Sequence, residues 1–328
     1  MKKFRFQING TILFILLLML SVTLSFLFPD PGMKGGILHT EYTTRIAVFI
    51  IFIIQGMTLP SKELLQGLAK FKVHISIQAF IFLFLPAFVY VCLLFTRNLF
   101  PFDLVIGFLF LAIVPTTISS SVVFSTQAGG SNSIALFNAS LSNILGIFFV
   151  PLWISWQLGG KVNIPPAGDL ILKIMVIILL PFIIGQILRN WLAWWADPRK
   201  KKLGNLSMML ILFIVYAAFC ASVKDNTWGN LGIEEIGLIF ISTLILLILV
   251  MIAGRLCWKY LRFDRKEGIA FFFGATQKAL STGIPMGHAI FASTGLDLAL
   301  ILVPLMLYHP LQLLLGSIIV GRLAKNKT

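Results

Sequence analysis

Acidic side chains are scarce in this chain, and none falls inside an apolar run. The 12 Asp and Glu lie in loops or at the ends of hydrophobic stretches. No buried carboxylate is therefore on hand as a proton relay or as a charged cation ligand, and a cation site here must be built from neutral oxygens. Cysteine is rare too. Cys92, Cys220 and Cys257 stand singly, without pairing or metal spacing, and read as small apolar residues in helices. No Ser/His/Asp order, HExxH or GxSxG motif occurs, which leaves an enzyme without a nucleophile–base pair. Long polar segments are also missing. The short loops leave little surface for an obligatory protein partner.

Hydrocarbon is abundant. The 328 residues are 58% hydrophobic and 12% charged, with a mean hydropathy of +0.96, far above a soluble domain. The chain reads as an all-α membrane protein with ten transmembrane helices, at 11–28, 43–59, 73–95, 104–127, 133–156, 168–191, 204–223, 232–258, 268–292 and 297–321. The net charge of +14 is carried in short loops between spans. Positive-inside topology explains it better than nucleic-acid binding. With both termini cytoplasmic, Lys2, Lys3, Arg5, the cluster Arg199–Lys202, the cluster Arg255–Lys266 and Arg322 fall on the inner side. The protein is expected in a cell membrane, of the bacterial inner-membrane type, with lipid around it. The basic start MKKFRF resembles a signal peptide, but its apolar run is too long and no small-x-small site closes it. It reads as a retained first span. Trp153, Trp156, Trp191, Trp194, Trp195, Trp228 and Trp258 fall near span ends as interfacial anchors.

Ten spans divide into five and five, and an odd number per half sets the halves in opposite orientations, as in inverted-repeat transporters. The expected repeats are 1–157 and 158–328, joined through Gly159–Asp169 with Pro165–Pro166. Two spans break the apolar pattern at corresponding places. In 104–128, LVIGFLFLAIVPTTISSSVVFSTQA, the run meets Pro115, Thr116, Thr117 and three serines. In 268–292, GIAFFFGATQKALSTGIPMGHAIFA, it meets Thr276, Gln277, Lys278, Ser281, Thr282, Gly283 and Pro285. Interrupted backbone at membrane depth survives only where it is buried or lines a polar cavity. Paired interruptions point to a transporter's binding site.

Around these breaks, Gln78, Ser120, Ser121, Asn138, Ser142, Thr276 and Gln277 supply the neutral oxygens that a hard cation accepts. The plainer reading of each is interhelical hydrogen-bond glue. If the spans break, second half-helices start near Ser119 and near Ser281–Thr282, where free N–H groups and the positive dipole end attract anions. Lys278 is the one charged residue placed near mid-membrane, at a cost of roughly 2.5–3.5 kcal/mol on insertion scales. It reads either as an anion-binding group or as a fixed internal cation occupying space that a metal ion would fill. His309, beside Pro310, reads as a hydrogen-bonding packer or as a proton-coupling group.

The segments PTTISSSVVFSTQAGGSNSIALFNASLSNILGIFFVPL (115–152), PFIIGQILR (181–189), ATQKALSTGIPM (275–286) and VPLMLYHPLQLLLGS (303–317) resemble the bile acid:sodium symporter superfamily, and its divergent orphan branch most. The resemblance implies two inverted five-helix repeats, a panel from spans 1, 2, 6 and 7, and a core from spans 3–5 and 8–10. It also implies discontinuous fourth and ninth spans that cross, two sodium ions near the crossing, and organic-anion cargo. By position Ser120 and Ser121 match the family's Ser–Asn pair, Gln277 and Gln78 match its glutamines, and Asn138 and Ser142 fall on the fifth span. The family's ninth-span Glu falls at Phe273, however, and the Asn after its Gln is Lys278. A carboxylate lost and an ammonium gained argue against a conventional two-sodium arrangement and against bile acids as cargo.

The expected function is thus a secondary active transporter, cation-coupled, of a small organic anion by alternating access. The alternatives are a uniporter or proton-linked exchanger with Lys278 replacing sodium, and a non-transporting membrane regulator of ion homeostasis.

Overall fold

The computed structural model describes residues 2–59, 70–158, 167–227, 232–292 and 294–325. Most of the joint expected at Gly159–Asp169, including Pro165 and Pro166, lies outside the described residues, as does Trp228. Among the described residues every regular element is helical and no strand occurs. The helices are α1 (Lys2–Leu27), α2 (Thr40–Thr58), α3 (71–96), α4 (Phe102–Ile113), α5 (Ile118–Gln127) and α6 (Asn132–Leu158), followed by α7 (167–196), α8 (Lys200–Lys224), α9 (Ile233–Tyr260), α10 (Arg265–Thr276), α11 (Leu280–Phe291) and α12 (Leu298–Lys325).

Among the described residues five stretches are long and apolar enough to cross a membrane: Phe71–Leu99, Asn132–Gln157, Leu172–Lys224 (which turns at Asp197–Arg199), Glu234–Tyr260 and Leu298–Ala324. The pair α4 and α5, bent by 52° at its break, makes a sixth. This is an all-helical membrane protein. α1 runs through the basic leader from Lys2, well before the apolar run begins. Hydropathy marks where lipid is tolerated, not where backbone hydrogen bonding stops.

The chain gathers into two compact units. One comprises Met1–Thr58, Met175–Gly232 and Ile284–Ala299; the other comprises Leu59–Ile174, Ile233–Gly283 and Leu300–Thr328. In the first, α2 and α7 meet backbone to backbone. A Cβ on Gly56 would stand 2.1 Å from the Phe182 carbonyl oxygen, and one on Gly185 2.2 Å from that of Ile53. Small residues at membrane helix contacts allow this approach. The last carbonyls of α2 then find donors on α7: Gln186 Nε2 donates to Gly56 O (2.6 Å) and Arg189 Nη1 to Met57 O (2.7 Å). α1 and α8 are tied by Ser21 Oγ donating to Leu212 O (2.8 Å) and Tyr216 OH to Phe28 O (2.6 Å).

In the second unit, α3 carries a π-helical turn at Phe80–Phe84, just before Pro86. Proline has no N–H for the carbonyl four residues back, which is that of Phe82. Trp153 Nε1 on α6 donates to that oxygen at 2.7 Å. Trp153 therefore does more than anchor at an interface: it closes a backbone group that Pro86 leaves open.

Candidate ion and substrate site

α4 ends at Ile113 because Pro115 cannot donate onward. Thr117 is extended, and α5 starts at Ile118. α10, capped by Asp264 accepting from Glu267 N–H (2.8 Å), ends at Thr276, and Gln277 is extended before α11 starts at Leu280. The second break thus lies at Gln277–Ala279. Gly283 and Pro285, which in the sequence favour the interruption, lie inside α11.

The two breaks meet. Ala279 N–H donates to Pro115 O at 2.9 Å. Lys278 Nζ donates to Ala112 O and to Val114 O, both at 2.7 Å. The lysine thus sits on the carbonyl end of α4, where the helix dipole favours a cation. It is 1% exposed. An amine used twice and sealed in this way is not open to a cargo molecule in this conformation.

The backbone freed by the breaks is satisfied almost group by group, as buried peptide units require. Thr116 N–H donates to Ser142 Oγ (3.3 Å), and Thr116 O accepts from Asn143 Nδ2 (3.0 Å). Thr117 O accepts from Ser121 Oγ. Thr276 O accepts from Tyr308 OH (2.9 Å). Lys278 is held at both ends of its peptide units by one side chain: Gln312 Oε1 accepts its N–H (2.7 Å) and Gln312 Nε2 donates to its carbonyl (2.8 Å). His309 Nδ1 lies 2.9 Å from Gln312 Nε2 and 3.2 Å from Lys278 O.

Among the expected cation ligands, Ser120 and Gln277 come together, Ser120 Oγ donating to Gln277 Oε1 at 3.0 Å. Gln78 and Asn138 also come together, Gln78 Nε2 donating to Asn138 Oδ1 at 3.1 Å and to its carbonyl at 3.2 Å. Ser142 Oγ turns to Ala139 O (2.9 Å) and Thr276 Oγ1 to Phe272 O (2.7 Å), so both side chains bond to their own helices. Three buried polar atoms near the breaks have no hydrogen-bond partner among the described residues: Gln78 Oε1, Thr116 Oγ1 and Gln277 Nε2. No cluster of three acidic, His or Cys side chains occurs among the described residues. Phe273, which the resemblance sets at the family's ninth-span Glu, is fully buried with its ring 5.5 Å from that of Phe124 on α5.

Of the expected anion-binding residues, Ser119 and Ser281 are exposed in the first turns of α5 and α11. Thr282 instead turns inward, donating to Asn143 Oδ1 at 2.7 Å. Sequence reasoning missed Gln312, Asn143, Tyr308 and His74. His74, near the start of α3, is buried with Nδ1 2.8 Å from Asn138 Nδ2. The one signal for Gln312 was an amide standing alone in an apolar run, while Asn143 follows Ser142 directly in a polar stretch.

Similar sequences occur widely. Sodium/bile acid cotransporter 7 of Danio rerio is 31% identical over 312 residues, covering 93% of this chain and 91% of that protein. Its namesake in Xenopus tropicalis is 33% identical over 316 residues, covering 94% and 90%. Protein PA2026 of Pseudomonas aeruginosa is 29% identical over 317 residues, covering 96% and 93%. Residues 13–325 match the SBF-like CPA transporter family, so the chain belongs to that family, one of membrane transporters and not of enzymes.

Proposed function

We propose that the protein is a secondary transporter that moves a small organic anion by alternating access. In this reading ten spans form two inverted five-helix repeats, 1–157 and 158–328. The panel uses spans 1, 2, 6 and 7, and the core uses spans 3–5 and 8–10. Taking α4 with α5 and α10 with α11 as single broken spans supports the count. The meeting of the two breaks carries the reading: Ala279 N–H bonds to Pro115 O, while α5 and α11 begin with exposed Ser119 and Ser281. Two helix starts beside one pinned crossing form a natural cradle for an anionic group. Gln78, Ser120, Ser121, Asn138, Ser142, Thr276 and Gln277 remain the oxygen donors for a coupled cation. Turning the Gln277 amide over would present its oxygen where Nε2 now has no partner.

The test is thermal unfolding of the purified protein with acetate and benzoate against acetamide and benzamide. A ligand of the native state raises Tm in a concentration-dependent way. The carboxylates should stabilise and the amides should not, and Ser119→Leu with Ser281→Leu should remove the effect. Equal stabilisation by amides would sink the anion reading.

The position of Lys278 favours a second reading of the coupling. The relatives named for sodium suggest that ion, but here an amine already holds the carbonyls of Ala112 and Val114, and Phe273 takes the place of a carboxylate. Lys278 acts as a built-in cation, and transport runs without sodium. Lys278→Ala should then gain a rise in Tm with sodium chloride that choline chloride does not give. A sodium-selective rise of the same size in the parent would overturn this.

A further inference from the structure

Away from the paired breaks, α9, α10 and α12 border an open cleft of about 400 Å3, within the size range of ligand pockets. Its walls are hydrocarbon, among them Ile248, Ile252, Phe272 and Ile319. Two arginines also border it, their stems against the apolar wall: Arg255, in the last turns of α9, and Arg322, in the last turn of α12. Both side chains are exposed. Arg255 stacks 4.0 Å from the ring centroid of Trp258, which fixes its direction without spending its hydrogen-bond donors.

Neither arginine has a carboxylate partner among the described residues. The acids at the start of α10 are engaged elsewhere: Glu267 pairs with Lys70 at 2.7 Å, and Asp264 accepts from Glu267 N–H. No acidic side chain lines the cleft. A third guanidinium, Arg265, donates to Leu323 O at 2.6 Å and ties the start of α10 to the end of α12. The cleft is thus apolar along its walls and positively charged where two membrane helices end.

We propose that this cleft binds an anionic phospholipid, with an acyl chain along Ile248, Ile252, Phe272 and Ile319 and the headgroup phosphate between Arg255 and Arg322. A free phosphate gains nothing from the walls, and an apolar molecule leaves two arginines unmatched. A phospholipid carries both chemistries in one molecule, and basic pockets between membrane helices take such headgroups. Guanidinium matches phosphate through paired N–H donors. A zwitterionic lipid brings its own cation to the same place and binds less well.

The experiment is a thermal-shift titration of the purified full chain in detergent micelles with dioleoyl phosphatidylglycerol. Dioleoyl phosphatidylcholine, with the same chains, and inorganic phosphate serve as controls. Phosphatidylglycerol alone should give a saturable rise in Tm. Arg255→Gln with Arg322→Gln should weaken its apparent affinity about tenfold or more. Ile252→Trp keeps both arginines but fills the cleft, and should also weaken binding, which separates a seated lipid from general surface charge. Native mass spectrometry should show both variants retaining less phosphatidylglycerol than the parent. Equal shifts by the two lipids, an equal shift by phosphate alone, or unchanged lipid retention in either variant would overturn the proposal.

Discussion

At Gln312 a side-chain amide stands in for a peptide group. It accepts from Lys278 N–H and donates to Lys278 C=O, as a neighbouring strand would. Gln312→Leu fills similar space but leaves two buried backbone groups open, at a cost on the order of 2–4 kcal/mol. Thermal unfolding in detergent checks this, and an unchanged Tm would mean that the backbone finds other partners. Lys278→Met strips donors from Ala112 O and Val114 O and should also lower Tm, although it removes a charge from hydrocarbon. Lys278 was legible in the sequence because a lone charge in a span demands an explanation. Gln312 and Asn143 were not. Their partners Lys278 and Thr282 lie 34 and 139 positions away, and an amide within a span looks like ordinary glue until the fold places its partner.

At the scale of the element, prolines decide where the backbone needs help, and the tertiary neighbour decides what happens there. Pro115 coincides with the end of α4, so that break could be read directly. Pro285 did not mark its break. It is accommodated inside α11, while the chain opens earlier at Gln277–Ala279, where Gln312, Tyr308 and Pro115 O receive the freed groups. Pro86 is accommodated by a π-helical turn and by Trp153, neither of which composition announces. Trp153→Phe keeps the ring but drops the N–H, leaving Phe82 O unpaired. It should destabilise by about 1–3 kcal/mol, read as a fall in Tm. A Tm within error of the parent would show that the π-helical turn already satisfies that carbonyl.

At the scale of the whole molecule, apolar length and the missing interior carboxylates made the helical membrane class legible. The assembly of each unit from separated segments depends on long-range contacts that no local pattern encodes. At the turn between α7 and α8 and just before α3, ion pairs add a pH dependence. Arg189, hydrogen-bonded to Asp197 at 3.0 Å, holds that carboxyl below the usual carboxylate range, with Lys200 assisting. Its contribution to stability is complete above the unfolded pKa of about 3.9. It is lost as pH falls through the lower folded value. Lys70 is raised by its hydrogen bond and charge pairing with Glu267. Its contribution is complete below about 10.4 and is lost as pH rises through the higher folded value. In Tm measured against pH, Asp197→Asn should flatten the acid limb alone and Glu267→Gln the alkaline limb. Both effects should shrink in high salt, since one partner of each pair, Asp197 and Lys70, is solvent-exposed. An acid limb unmoved by Asp197→Asn would assign it to other carboxylates.

The backbone contact between α2 and α7 has a mechanical consequence. Packed helices slide past one another over a layer of side chains whose rotamers can yield. Between Gly56 and Phe182, and between Gly185 and Ile53, that layer has no thickness, and Gln186 and Arg189 stitch across the joint. Shear along this seam would drive peptide groups into each other before any side chain could give way. The two rods therefore carry load as a single beam. They tilt together or not at all.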